Sequence, residues 1–213
     1  MSALADSLRQ IYDLGGPVVL LLGVLSVLVM TVVLYKLWQF AAAGVGRHKA
    51  LAQAVAAWDA GDRAAARGHL GRSRSYLAPV VEMAMAGQGD AERLEAEAEL
   101  RFATLERGFR LLDSVAQLAP LLGLFGTVLG MISAFQALQA AGSQVDPSIL
   151  AGGIWVALLT TAVGLAVAMP TTAILSWLEA RMDKERVLAS SALHTILSPN
   201  GKGGIKEARA AHA

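Results

Sequence analysis

The sequence predicts an all-α polytopic membrane protein with three transmembrane helices, two of them extended into a cytoplasmic helical bundle. Three observations carry this. Hydrophobic residues fill 55% of the 213 positions while aromatics fill 6%, so the apolar content comes from Ala, Leu, Val and Gly rather than from a ring-filled core. Three long stretches are almost free of charge. Lys and Arg fall nearly all on one side of those stretches.

The first stretch, Pro17 to Phe40, has no charge before Lys36. Its length of about 24 residues makes roughly 36 Å of helix, enough to cross a bilayer. Tyr35, Lys36, Trp38 and Phe40 close it with the aromatic and basic anchors expected at headgroups. A cleaved signal peptide ending near Ala41-Ala42-Ala43 is the rival reading. It is disfavoured because Asp6 and Asp13 oppose Arg9 in the head, and because the apolar run exceeds the usual length of about 7–15 residues. The second uncharged stretch follows Asp113, and the third lies between Asp146 and Glu179.

Basic residues set the topology. The head carries Arg9 alone and the turn before the third stretch carries none, whereas Arg47 to Arg110 and Arg181 to Arg209 flank the spans on the other side. By the positive-inside rule the N-terminus and the turn face outward. The division is therefore 1–16 periplasmic, 17–40 first span, 41–113 cytoplasmic helical domain, 114–141 second span, 142–148 periplasmic turn, 149–178 third span, and 179–213 cytoplasmic helix and tail. A bacterial inner membrane is the expected location.

Between Gly44 and Asp113 the chain is polar and Ala-rich with helical spacing. Gly61, the Gly68–Ser75 stretch, Pro79 and Gly87–Gly89 punctuate it into a small bundle. Asp62 and Asp90 each follow a glycine and precede a helix-forming run, as N-caps do. From Ala91 the pattern is expected to run unbroken through Asp113 into the second span. Its mixed Glu and Arg residues read as a solvated face with i,i+4 pairs, not as a cation site. The third span is likewise expected to continue as helix until Ser198-Pro199-Asn200-Gly201 stops it, with a loose tail beyond.

Small residues recur at helical spacing on both later spans. Gly123, Gly126 and Gly130, with Ala119, Thr127 and Ala134, share one side of the second span. Gly153, Ala157, Gly164 and Ala168, with Thr161 and Thr172, do so on the third. Such faces let backbones approach closely in lipid, where no hydrophobic force drives association. Thr127 and Thr161 both fall about 18–20 Å into their spans, which suggests a polar ring. Thr160, next to Thr161, is expected to line the same path. Pro120 and Pro170 are expected to kink the two helices, each freeing a carbonyl four residues back.

These residues carry a family resemblance. Gly123-Leu124-Phe125-Gly126-Thr127-Val128-Leu129-Gly130 resembles the GLFGTVxG signature of ExbB and TolQ. The stretch from Gly153 to Pro170, GIWVALLTTAVGLAVAMP, resembles the GIxEALxxTAxGLxxAIP signature of the same family. The resemblance covers most of the chain from Pro17 to about Leu197. It implies a homopentamer whose second and third helices line a pore, an ExbD- or TolR-like one-span partner within it, and force passed to a TonB- or TolA-like transducer. One position departs: Val156 stands where the family usually has a glutamate. Both pore helices then lack any ionisable side chain, so the titrating group is expected on the partner, with Thr127 and Thr161 as its hydrogen-bonding surroundings.

No acid, base, nucleophile or metal cluster marks an enzyme. There are no cysteines, and His48, His69, His194 and His212 lack metal-ligand spacing. No cofactor or nucleic-acid partner is expected; membrane lipid is. The alternatives to a proton-channel stator are a MotA-like stator and a non-conducting membrane scaffold.

Overall fold

The computed structural model describes residues 2–141 and 147–199. Most of the turn expected over 142–148, and the tail beyond Pro199, lie outside the described residues. Among the described residues the secondary structure is helical throughout: α1 (Ser2–Ala43), α2 (Lys49–Asp59), α3 (Arg63–Leu70), α4 (Ala78–Met85), α5 (Ala91–Glu106), α6 (Phe109–Ala141) and α7 (Pro147–Leu197). Parts of α1, α6 and α7 are long and apolar enough to cross a membrane. The chain divides into two units: Met1–Leu34 with Gly108–Trp177, and Tyr35–Arg107 with Leu178–Ala213.

The first unit contains α6 and the leading parts of α1 and α7. Along α1, Val18, Leu22, Val29 and Val33 recur at helical spacing and are buried. The opposite side is also apolar: Leu21, Val24, Val27 and Met30 are exposed. Leu121, Phe125, Val128 and Ile132 of α6, and Trp155, Leu158 and Met169 of α7, are exposed as well. So much outward apolar surface would be untenable in water and is ordinary in lipid. The regular helix of α1 is interrupted at Gly16, whose φ of 67° and ψ of −167° suit glycine alone, just before Pro17.

The second unit is a helical bundle of α2 to α5 with the end of α1 and the trailing part of α7. Leu94, Ala98, Phe102 and Leu105 form the buried stripe of α5, and Leu178, Met182, Ala189, Leu193 and Ile196 that of α7. Two caps are as the sequence suggested: Asp62 accepts from the Ala65 amide and Asp90 from the Arg93 amide, each at 2.9 Å. Glu97 pairs with Arg101 one turn on. Trp58 donates its ring N–H to the Ile196 carbonyl at 3.1 Å, near the end of α7 where carbonyls lack helical partners. The helix α7 does continue past the apolar stretch as far as Leu197.

Two features differ from the sequence reading. The expected single helix from Ala91 into the second span is broken: α5 ends at Glu106, Arg107 is extended (ψ 128°) and Gly108 has φ 92°. The chain thus leaves α5 at Arg107, and Gly108 opens α6, its carbonyl accepting from the Leu112 amide at 3.1 Å. Lys36, expected at the headgroups, is instead buried. Its ammonium donates to the Leu105 carbonyl at 2.9 Å and to Gln39 Oε1 at 2.7 Å, satisfying the end of α5.

One polar residue interrupts the apolar stripe of α7. Glu185 is 3% exposed and accepts from His48 Nε2 at 2.6 Å, Tyr76 Oη at 2.9 Å and the Gly46 amide at 2.9 Å. His48 Nδ1 lies 3.1 Å from Ser75 Oγ. Burial pushes the Glu185 carboxyl up, but the bonds from His48 and Tyr76, the His48 charge and the Gly46 amide outweigh it and hold the group below the usual carboxylate value. Burial and the Glu185 charge push the Tyr76 phenol up, so it remains a donor.

A depressed carboxyl contributes stability that is complete above its unfolded value, about 4.3, and is lost as pH falls through the lower folded one. Thermal unfolding of the detergent-solubilised chain should therefore weaken as the pH is taken below about 4.3. Glu185→Leu, which strands three donors, should cost roughly 2–4 kcal/mol at pH 7 and flatten this acid limb. An unchanged melting temperature in the variant would refute the assignment.

Candidate functional site

The centre of the first unit is the antiparallel contact of α6 with α7, made where side chains are missing. A methyl group added to Gly123 would lie 2.9 Å from the Thr160 carbonyl oxygen and 3.1 Å from Thr161 Cα. One on Gly164 would lie 2.6 Å from the Ala119 carbonyl oxygen, and one on Gly126 2.6 Å from Thr160 Cβ. Gly130 meets Ala157, and Gly153 meets Ala134. The pairs 119·164, 123·160, 130·157 and 134·153 follow one another antiparallel along the whole contact. The structure thus brings Gly123, Gly126, Gly130, Gly153, Ala157 and Gly164 together, and Ala168 is buried one turn further on.

The hydroxyls distribute differently from the polar ring that equal depth suggested. Thr160 is 1% exposed, and its Oγ1 lies 2.7 Å from the Ala157 carbonyl of its own helix and 3.2 Å from the Gly123 carbonyl of α6. Thr161 is half-buried with Oγ1 3.4 Å from the same Gly123 oxygen. Thr127 donates at 2.6 Å to Leu124 of its own helix, so the structure does not join it to Thr161. The spacing had a signal for Thr160: positions 153, 157, 160 and 164 alternate by four and three, as a packed helical stripe does. α6 and α7 run on as helices through Pro120 and Pro170.

Val156 and Thr160 line a cavity of about 310 Å³, together with Gly126, Gly130 and Ser133 of α6 and Gly15–Val18 of α1. None of its lining residues titrates. Ser133 and Thr160 are its side-chain hydroxyls. Residues 114–141 and 149–178 contain no ionisable side chain, so this helix pair offers hydroxyls and carbonyls to a proton but no group that can carry one.

A three-span helical membrane protein whose second and third helices meet backbone to backbone, around a small uncharged cavity, is the class that this architecture defines. The chain matches the MotA/TolQ/ExbB proton channel family over residues 73–190, and it belongs to that family. It is 41% identical over 103 residues to the putative biopolymer transport protein ExbB-like 1 of Synechocystis, covering 47% of this chain and 41% of that one. It is 45% identical over 67 residues to the Tol-Pal system protein TolQ of Haemophilus influenzae, covering 32% and 29%. With the biopolymer transport protein ExbB of Aquifex aeolicus it shares 34% over 103 residues, 48% of this chain and 68% of the relative. The chain spans less than half the length of the first two of these.

The tight register sets a test. Gly123→Ala and Gly164→Ala place a methyl against backbone that cannot turn aside, and each should destabilise by about 1–3 kcal/mol. Gly152→Ala, where nothing stands within 4 Å of the new methyl, should be neutral or slightly stabilising. Thermal unfolding in one detergent reads all three, and equal melting temperatures would show that α6 and α7 do not approach this closely.

Proposed function

We propose that the chain is the channel-forming stator subunit of an inner-membrane proton-driven motor of the ExbB/TolQ kind. It assembles as a homopentamer, surrounds an ExbD- or TolR-like one-span subunit, and energises a TonB- or TolA-like protein across the periplasm. Residues 1–16 and 142–148 face the periplasm in this reading, and 41–113 and 179–213 the cytoplasm. Family membership supports a proton path, and one observation shapes it: the second and third spans carry no ionisable side chain. The titrating carboxylate then comes from the partner helix, since a charge in the bilayer needs such a group and moving one charge through 100 mV is worth about 2.3 kcal/mol.

Thr161 is the hydroxyl we assign to that carboxylate, because it is half-exposed and its contact with α6 is long, whereas Thr160 is buried within the helix pair. Thr161→Val keeps the β-branched shape and removes the donor, so the complex with the partner should form while proton-motive-force-dependent work in cells lacking the parent stops. Thr161→Ser should retain much of the activity. A Thr161→Val complex that works like the parent would make this threonine a packing residue. Val156→Glu places a carboxyl beside the cavity and should not raise activity; a stronger motor would show that the path uses a carboxylate there.

A further inference from the structure

Three arginines of the second unit adjoin one turn: Arg47 lies in it, Arg181 reaches it with its guanidinium, and Arg74 meets it through its backbone. At the end of α1 the chain turns through Gly44 and Gly46, both with positive φ (70° and 79°). The guanidinium of Arg181 lies against Gly46, where any side chain would collide with it. The backbone of Arg74 lies against Gly44, where a methyl group would stand 2.9 Å from the Arg74 carbonyl oxygen. The Tyr76 amide donates to the Ala43 carbonyl at 3.3 Å, which holds the loop before α4 on the same turn. Arg47 follows Gly46 and is exposed, as is Arg74.

Among the described residues, ion pairs engage His48, Arg101 and Arg186, and no carboxylate lies within pairing distance of Arg47, Arg74 or Arg181. The acid one turn along α7 from Arg181 is Glu185, whose oxygens are taken by His48, Tyr76 and Gly46. Asp183 faces Arg186 at 3.8 Å. The turn follows directly on the apolar stretch of α1, and Arg181 comes one helical turn after Leu178, where the apolar stretch of α7 ends. Unpaired basic groups at that depth meet the phosphates of a leaflet.

We propose that Arg47, Arg74 and Arg181 form a binding site for the headgroup of an anionic phospholipid, seated on the Gly44–Arg47 turn. Gly46 is favoured there by its positive φ, and any side chain in its place would also have to push the Arg181 guanidinium aside. The site is independent of proton conduction and holds whether or not the pore reading stands.

The test uses the full chain in a neutral detergent, with phosphatidylglycerol and phosphatidylethanolamine offered in equal amounts and retained lipid counted by native mass spectrometry. The parent should keep phosphatidylglycerol preferentially. Arg47→Gln, Arg74→Gln and Arg181→Gln should each lower that retention by about fivefold, while Arg93→Gln, on the exposed start of α5, should leave it unchanged. Single variants that bind like the parent, or an Arg93→Gln that loses as much as they do, would overturn the site. Inorganic phosphate is the second arm: a thermal shift from phosphate equal to that from phosphatidylglycerol would make this a soluble-anion site and overturn the lipid assignment.

Discussion

The first unit depends on two backbones lying closer than any pair of side chains would allow. Over most of their common length α6 and α7 meet through glycine and alanine, so the contact is made of main-chain atoms and short methyl groups. In lipid this close packing replaces the hydrophobic force that holds a water-soluble core together. It also fixes what surrounds the contact. Bulky residues are displaced to the outer faces, where Leu121, Phe125, Leu158 and Met169 are exposed. The space left beside the small residues is the cavity lined by Val156 and Thr160.

The second unit is held by a different kind of constraint. Its apolar stripes resemble those of any helical bundle, but Glu185 sits inside the stripe of α7 and draws three donors from two separate turns of the chain. A buried carboxylate is tolerated only when such donors are supplied. Lys36 makes the complementary arrangement, a buried cation set against the carbonyl end of α5. Both are polar contacts that select one packing of the bundle over others that its apolar residues alone would permit.

Much of this was legible in the amino-acid sequence, and the pattern of what was not has a physical cause. Local signals were readable: uncharged length marked the apolar helices, glycine followed by aspartate marked the caps at Asp62 and Asp90, and glycine spacing marked the helix faces. The break at Gly108 was hidden because one glycine in a helical pattern looks the same whether it continues the helix or breaks it. The burial of Lys36 and Glu185 was hidden because their partners lie far away in the chain. The choice between Thr160 and Thr161 turned on a rotation of about 100° per residue, which spacing on one helix cannot settle without the register of the other.

Thr160 carries one hydroxyl hydrogen between two acceptors, the Ala157 carbonyl of its own helix at 2.7 Å and the Gly123 carbonyl opposite at 3.2 Å. If α6 moves away, that hydrogen keeps the nearer oxygen and no donor is stranded in the bilayer. Parting the helices at this point therefore costs far less than breaking a buried hydrogen bond outright. The hydroxyl behaves as a swivel, marking the register when the pair is closed and offering little resistance when it slides.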